Sequence, residues 1–495
     1  MRTIRATGSP GGLMRRVPAL NGAFSALAFA LALSSPAAAQ RAATLGERVR
    51  PFVNVPEPVV ALVHVKVIDG TGAAPKADQT VVIRDGKIVA VGPSASVAVP
   101  QGARVMDLAG HTVIPGLIGV HDHLFYTAAG GRAVQMSFTG PRLYLASGVT
   151  TIRTTGGRSP YAEINTKAMV DSGRVPGPRI HLTAPYLTGG GNGSSGSMAE
   201  VTTPEAARRF VAYWAAEGMQ WIKAYTDISR ADLGAAIDEA HKRGMKATGH
   251  LCSVSFGEAV DLGIDNLEHG MLTMSDFAAG KPVDVCPADY LTGVAQSNPT
   301  GPEARAVIKK MIDRNVSMTS TLAVFEPFVP GRLSNDERTW SMMAPDLRKS
   351  YMDVRRQIDS SKTSPFTNDV FRKAMAFEKA FYDAGGRLAS GVDPTGNGGA
   401  LAGFGDQRNY ELLIEAGFTP SQVVQIMTSN GAKVLGVERT LGTVAPGMLA
   451  DLVVLRGDLA ANPLVIREVT TVFKDGVGYD SVKLIAAVKG RVGID

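Results

Sequence analysis

The chain has 495 residues, 45% of them hydrophobic and 19% charged, which is ample for a large core. Its formal net charge is +6, but Arg2, Arg5, Arg15 and Arg16 contribute four of those charges, and without them about +2 remains. No basic stripe follows and no later apolar stretch is long enough to span a bilayer, so nucleic acid and membrane are excluded as partners of the main body.

In chain order, the four arginines precede an apolar run over residues 23–33. Ser34, Ser35, Pro36 and Ala37-Ala38-Ala39-Gln40 come next. A positive region, a short apolar stretch and an A-x-A site make a secretory signal peptide over 1–39, cleaved after Ala39. The expected location is periplasmic or secreted. The only cysteines are Cys252 and Cys286. In an oxidising compartment they are free to pair, but spacing alone leaves this open.

Residues 59–68, 79–84, 87–91 and 104–107 read as short strands, and Asp85-Gly86 between two apolar runs marks a hairpin. Residues 451–455 and 469–474 have the same character, with Asp475-Gly476 as a second turn. The economical reading is one small β-sandwich domain built from both termini, residues 40–112 plus 437–495. The segment between them, 113–436, alternates strand-like and helix-like stretches, the mark of a parallel α/β fold. Eight candidate strands cover 112–120, 149–154, 179–183, 221–224, 246–249, 266–269, 316–321 and 387–392, which predicts a (β/α)₈ TIM barrel. Ser229, with Asp232 three residues on, predicts a capped helix with Leu233, Ala236, Ile237 and Ala240 on one face, ended by Gly244. Val370, Ala374, Phe377, Phe381 and Ala384 predict another before the last strand. Residues 271–301 and 322–366 exceed ordinary connections and are expected to wall a substrate site at the C-terminal face of the barrel.

Metal-competent residues fall at the C-terminal ends of these strands. His121 and His123, two apart on a strand, point to one side and can share an ion. His250 ends the fifth strand, His269 the sixth and Asp393 the eighth. Lys223 ends the fourth. Its ammonium would repel a dication, but burial favours the neutral amine, which can add carbon dioxide to give an anionic carbamate. One buried histidine is ordinarily a core residue bonded to backbone; the joint placement of six such residues argues for a site. His64, His111 and His241 read as structural or surface residues, and His181 has no assigned role.

The chain resembles the amidohydrolase superfamily, and within it the imidazolonepropionase-like and Xaa-Pro dipeptidase-like group. The motifs that carry the likeness are Val67-Ile68-Asp69-Gly70-Thr71-Gly72, Asp85-Gly86-Lys87-Ile88, Ile114-Pro115-Gly116-Leu117-Ile118-Gly119-Val120-His121-Asp122-His123, Leu267-Glu268-His269-Gly270, Gly391-Val392-Asp393, and the segment from Gly442 to Leu452. Together they are specific for the superfamily and much less so for substrate. The resemblance implies two divalent ions, zinc by default. His121, His123 and Asp393 would hold the first, and carboxylated Lys223 would bridge it to a second held by His250 and His269. It implies hydrolysis of an amide bond of a small peptide or N-acyl amino acid by a metal-bridging hydroxide, with Asp393 as catalytic proton carrier and Tyr225 binding substrate. Imidazolonepropionases generally lack the bridging lysine, so Lys223 argues against that narrow activity. The alternative is a mononuclear deaminase or cyclic-amide hydrolase of the same fold. Related enzymes often carry a histidine in the glycine loop 188–196, where this chain has Asn192. Oligomeric state is left open.

Overall fold

A computed structural model of the chain describes residues 42–127, 132–190, 198–332 and 335–494. The signal-peptide reading of residues 1–39 and the Asn192 reading fall outside the described residues. Residues 39–495 make one compact unit. Among the described residues no helix is long and apolar enough to cross a membrane.

Both ends of the chain build one mixed nine-stranded sheet. Its N-terminal half contains Val59–Val67, Lys76–Arg84, Lys87–Pro93, Arg104–Asp107 and His111–Pro115. Leu452–Arg456, Val469–Lys474 and Val477–Asp480 come from the other end, and the short N-terminal strand Val53–Val55 pairs at the edge with the last of these as the ninth. Strands from both ends of the chain share this one hydrogen-bonded ladder. Asp85-Gly86 and Asp475-Gly476 form the two predicted turns, with φ 49° and 82° in the first and 51° and 79° in the second. Positive φ at both turn residues matches the twist of the flanking strands.

The strand expected over 112–120 is two strands. His111–Pro115 pairs antiparallel with Leu452–Arg456 in the terminal sheet, whereas Leu117–Asp122 pairs parallel with Val149–Thr154. Gly116 separates them, and a Cβ there would lie 2.2 Å from Thr150 Oγ1. Both halves are apolar and buried, so the Pro115-Gly116 break between them does not by itself reveal the change of partner.

The parallel strands form a three-stranded and a seven-stranded sheet. The first contains Leu117–Asp122, Val149–Thr154 and Arg179–His181. The second contains Thr183–Thr188, Trp221–Ala224, Lys246–Gly249, Asn266–Glu268, Ser317–Ser320 and Leu388–Ser390, plus the short edge strand Ala199–Glu200. The expected third strand is interrupted at Leu182. The two sheets do not join into one closed ladder, but backbone bonds tie the last strand to both neighbours. Gly391 N–H donates to Ser320 O at 3.0 Å and Asp393 N–H to His121 O at 2.8 Å. Gly391 permits this approach, since a Cβ there would stand 2.5 Å from His121 N.

Helices cover the sheets. Arg230–Lys242 starts as predicted, with Ser229 Oγ accepting from Asp232 N, and buries Leu233, Ala236, Ile237 and Ala240. Asn368–Asp383 buries Val370, Ala374, Phe377 and Phe381. Each phenylalanine contributes about 2–3 kcal/mol by leaving water. The two long segments carry helices of their own, Tyr290–Gln296 in the first and Glu337–Trp340 and Pro345–Ser360 in the second. Cys252 and Cys286 are joined in a disulfide, which ties the first segment to the end of the Lys246–Gly249 strand.

Candidate metal centre

The residues expected from the sequence as metal ligands lie near one another at the strand ends, and three of them form one tight group. His121, His269 and Asp393 bring donor atoms within 4.8 Å of one another. His123 Nε2 lies 3.1 Å from Asp393 Oδ1, and His121 Nε2 lies 3.5 Å from Oδ2. The ring of His250 is centred 4.4 Å from that of His269. Lys223 and His250 line the same cavity as His121 and Asp393. The tightest trio thus mixes the two expected ligand sets, taking His121 and Asp393 from one and His269 from the other. Tyr225 also lines the cavity, 4.8 Å between ring centres from His250.

The surroundings set the protonation of each group. His123 Nδ1 faces Gly156 O at 3.1 Å. A carbonyl only accepts, so the proton sits on Nδ1 and the lone pair on Nε2. Burial lowers the pKa of His123 despite Asp393, keeping the ring neutral. Its Nε2 lies 3.1 Å from Asp393 Oδ1. His269 is likewise held through Nδ1. Its Nδ1 meets Thr321 Oγ1 at 2.6 Å, and its buried Nε2 has no hydrogen-bond partner among the described residues. Burial pushes His250 down to about 3, with Lys223 adding to the effect. Burial raises Asp393, but His121 and His123 more than offset this and hold the carboxyl well below the usual range. Buried imidazoles and a carboxylate converging at one place are a set that a divalent cation fits.

Lys223 is 1% exposed, and its Nζ has no hydrogen-bond partner among the described residues. Burial lowers its pKa to about 8, against the pull of Glu268 and Asp393. A lysine so placed has an appreciable fraction of free amine near neutral pH.

Sequence reasoning missed the layer behind the donors. Glu268 is fully buried and accepts from His121 Nδ1 at 2.7 Å, Arg153 Nη2 at 2.6 Å and Asn266 Nδ2 at 2.9 Å, and also from Thr248 Oγ1. Burial raises its pKa, but Lys223 and Arg153 outweigh that and keep it ionised. Tyr186 Oη lies 3.3 Å from His123 Nε2. The clue was the Glu268-His269 pair itself. His269 has φ 69°, so the chain turns left-handed there, and neighbours that strand alternation would send to opposite faces both reach the site.

The remaining histidines have other roles. His64, His111 and His241 bond locally near the surface, to Asp78, Ala109 O and Asp265. His181 is buried and lowered to about 4 by desolvation.

Above the donors lies a cavity of about 430 Å³. As expected, the long segments wall it, through Tyr290 from the first and Phe325, Phe328 and Phe366 from the second. Thr127, Arg158 and Met198 close other sides.

Known proteins agree with this picture. The model of the Amidohydrolase family matches residues 112–478. The dihydroorotase of Pelotomaculum thermopropionicum is 25% identical over 395 residues, 77% of this chain and 86% of that protein. The enamidase of Eubacterium barkeri is 25% identical over 406 residues, 79% of this chain and 84% of that one. Among solved structures, a Xaa-Pro dipeptidase with bound methionine in its active site superposes with a TM-score of 0.64 at 20% identity, covering 85% of this chain and 100% of the other. A match over well more than half the length, together with a metal-competent His/Asp set at the strand ends, places the chain in the amidohydrolase family of metal-dependent hydrolases acting on carbon–nitrogen bonds.

Proposed function

We propose that this protein is an exported binuclear hydrolase that cleaves the amide bond of a small peptide or N-acyl amino acid. The observation that carries the reading is Lys223, a buried amine without a hydrogen-bond partner among the described residues, set near four imidazoles and a carboxylate. Addition of carbon dioxide to that amine, with loss of one proton, gives a carbamate. Its two oxygens suit a bridge between two cations. His121, His123 and Asp393 would hold the first, and His250 and His269 the second, with zinc as the default. When bound, such ions supply Lewis acidity and an activated water.

The chain's own groups do the rest. Asp393 accepts the proton of the attacking water and delivers it to the leaving nitrogen. The carbonyl carbon gains an oxygen, the C–N bond breaks, and a carboxylic acid and an amine leave. Glu268 fixes the ring of His121, and Gly156 O fixes that of His123. Tyr225 offers its hydroxyl to the substrate. With the third strand, interrupted at Leu182, counted once and the short edge strand Ala199–Glu200 left out, the parallel strands are read as the eight of a (β/α)₈ barrel, and the terminal sheet as the β domain. The Cys252–Cys286 disulfide supports export to the periplasm or beyond, because such bonds persist in oxidising compartments.

The test is amino-acid release by the zinc-loaded protein from Xaa-Pro, Xaa-Arg, Xaa-Leu and N-acyl amino acids, with Lys223→Ala as control. Release that vanishes in the variant upholds the reading. Silence across the panel with two ions bound contradicts it. A second reading, mononuclear cyclic-amide hydrolysis or deamination, draws on the similarity to a dihydroorotase and an enamidase. It predicts a single ion and full metal content without Lys223.

A further inference from the structure

The cavity above the donors has two unlike walls. On one side the guanidinium of Arg158 lies 5.2 Å over the ring of Phe125, whose centre is 4.5 Å from that of His123. On the other, Phe325 lies 5.3 Å from His269 and 5.9 Å from Phe366, which in turn lies 5.6 Å from Phe328. The imidazoles run between these walls, with His121 centred 5.5 Å from His123 and 4.5 Å from His269. The walls also stand on different sheets. Arg158 follows Val149–Thr154 of the three-stranded sheet, and Phe325 follows Ser317–Ser320 of the seven-stranded one. Among the described residues lining the cavity, Arg158 and Lys223 are the cationic groups, and Lys223 sits at the centre of the donor cluster.

We infer that the substrate is an N-acyl amino acid or dipeptide whose two ends differ in kind. The free carboxylate of the leaving amino acid meets Arg158, and a bulky apolar acyl group lies against Phe325, Phe328 and Phe366. This rests on the hydrolase reading above. A carbonyl over the imidazoles leaves its two substituents to extend toward opposite walls. The guanidinium fork matches a carboxylate in shape and charge. The phenylalanine wall offers offset and edge contacts to an aromatic or branched apolar group. A cavity of about 430 Å³ is large enough for such a molecule and falls in the range of small-molecule sites. Arg158 and the three phenylalanines would thus set specificity, and none of them donates to the metal centre.

The test compares N-phenylacetyl-leucine with its carboxamide and with N-acetyl-leucine on the zinc-loaded protein. Binding is followed separately by calorimetry with the ketone isostere of N-phenylacetyl-leucine, in which CH₂ replaces the amide NH and cleavage is blocked, and with the carboxamide of that isostere. Amidation is expected to raise KM by about tenfold or more with little change in kcat, the signature of a lost binding contact. Arg158→Met should treat acid and amide alike, and Arg158→Lys should recover part of the difference. Phe328→Ala should narrow the preference for phenylacetyl over acetyl while keeping that for the carboxylate. The inference is overturned if Arg158→Met still separates acid from amide, or if the unaltered protein treats phenylacetyl and acetyl alike. Discrimination between the two isosteres without turnover of any amide would uphold the inference and sink the hydrolase reading, so the two fail separately.

Discussion

Glu268 Oε2 lies 2.7 Å from His121 Nδ1, and both residues are buried. The carboxylate accepts a hydrogen bond from Nδ1–H and leaves the opposite nitrogen of the ring facing the donor cluster. Its other oxygen holds Arg153 at 2.6 Å. Replacing Glu268 with glutamine removes both charge-assisted contacts and strands a buried guanidinium. The fold should lose about 3–5 kcal/mol in denaturant melts. Zinc affinity, read by chelator competition, should fall by about 10- to 100-fold. Unchanged affinity in a folded variant would show that His121 does not need this partner.

Lys223 gives a prediction in pH. Burial lowers its pKa to about 8, so the free amine grows as pH rises toward and past that value. Only the free amine reacts with carbon dioxide. Metal-free protein given zinc at fixed dissolved carbon dioxide should regain activity about 20-fold faster at pH 8.5 than at pH 6.5, from the neutral fraction alone. Carbon-13 NMR with labelled carbon dioxide should show one carbamate signal that Lys223→Ala lacks. A recovery rate independent of both pH and carbon dioxide would contradict carboxylation.

Glu163 is fully buried, and its contact with the Thr154 hydroxyl only partly offsets the cost of that burial. Burial raises its pKa from 4.5 to about 8. A raised carboxyl pKa means that the folded state holds the proton more tightly than the unfolded one. Its contribution to stability is therefore complete below pH 4.5 and is lost as pH rises toward 8. Glu163→Gln should remove this loss. Its melting temperature should exceed that of the parent protein increasingly between pH 5 and pH 8 and stay level above. A gap that shrinks over that range would show that the carboxyl is ionised in the fold.

The Cys252–Cys286 bond closes a sequence separation of 34 residues. Chain-entropy reasoning gives it about 3–4 kcal/mol of stability. Cys286→Ser, or reduction, should lower the denaturation midpoint accordingly. It should also release the segment that brings Tyr290 to the cavity, raising KM more than it lowers kcat. A midpoint that does not move would show that the bond is not formed in solution.

Much of this site was legible in the sequence. Every expected donor falls at the end of a short apolar run, and strand ends in a parallel fold converge. The Asp-Gly turns and the Ser229 cap were readable because each depends on local chemistry. What stayed hidden depends on distant partners. Pro115-Gly116 marks a break within residues 112–120, but only the distant partners decide that the two halves serve different sheets. Arg153 sits mid-strand, where a charge suggests an outward face, yet it is buried over Trp221 against Glu268. The phenylalanine wall comes from a long connection whose path no periodicity fixes. The left-handed turn at His269 defeats alternation and so conceals Glu268.

The most direct test of the central claim is metal content. Protein loaded with zinc and bicarbonate, then gel-filtered, would be measured by plasma spectrometry beside Lys223→Ala. The binuclear account predicts two ions per chain, and at most one in the variant. One ion in both proteins would contradict the bridge and move the assignment to a mononuclear amidohydrolase.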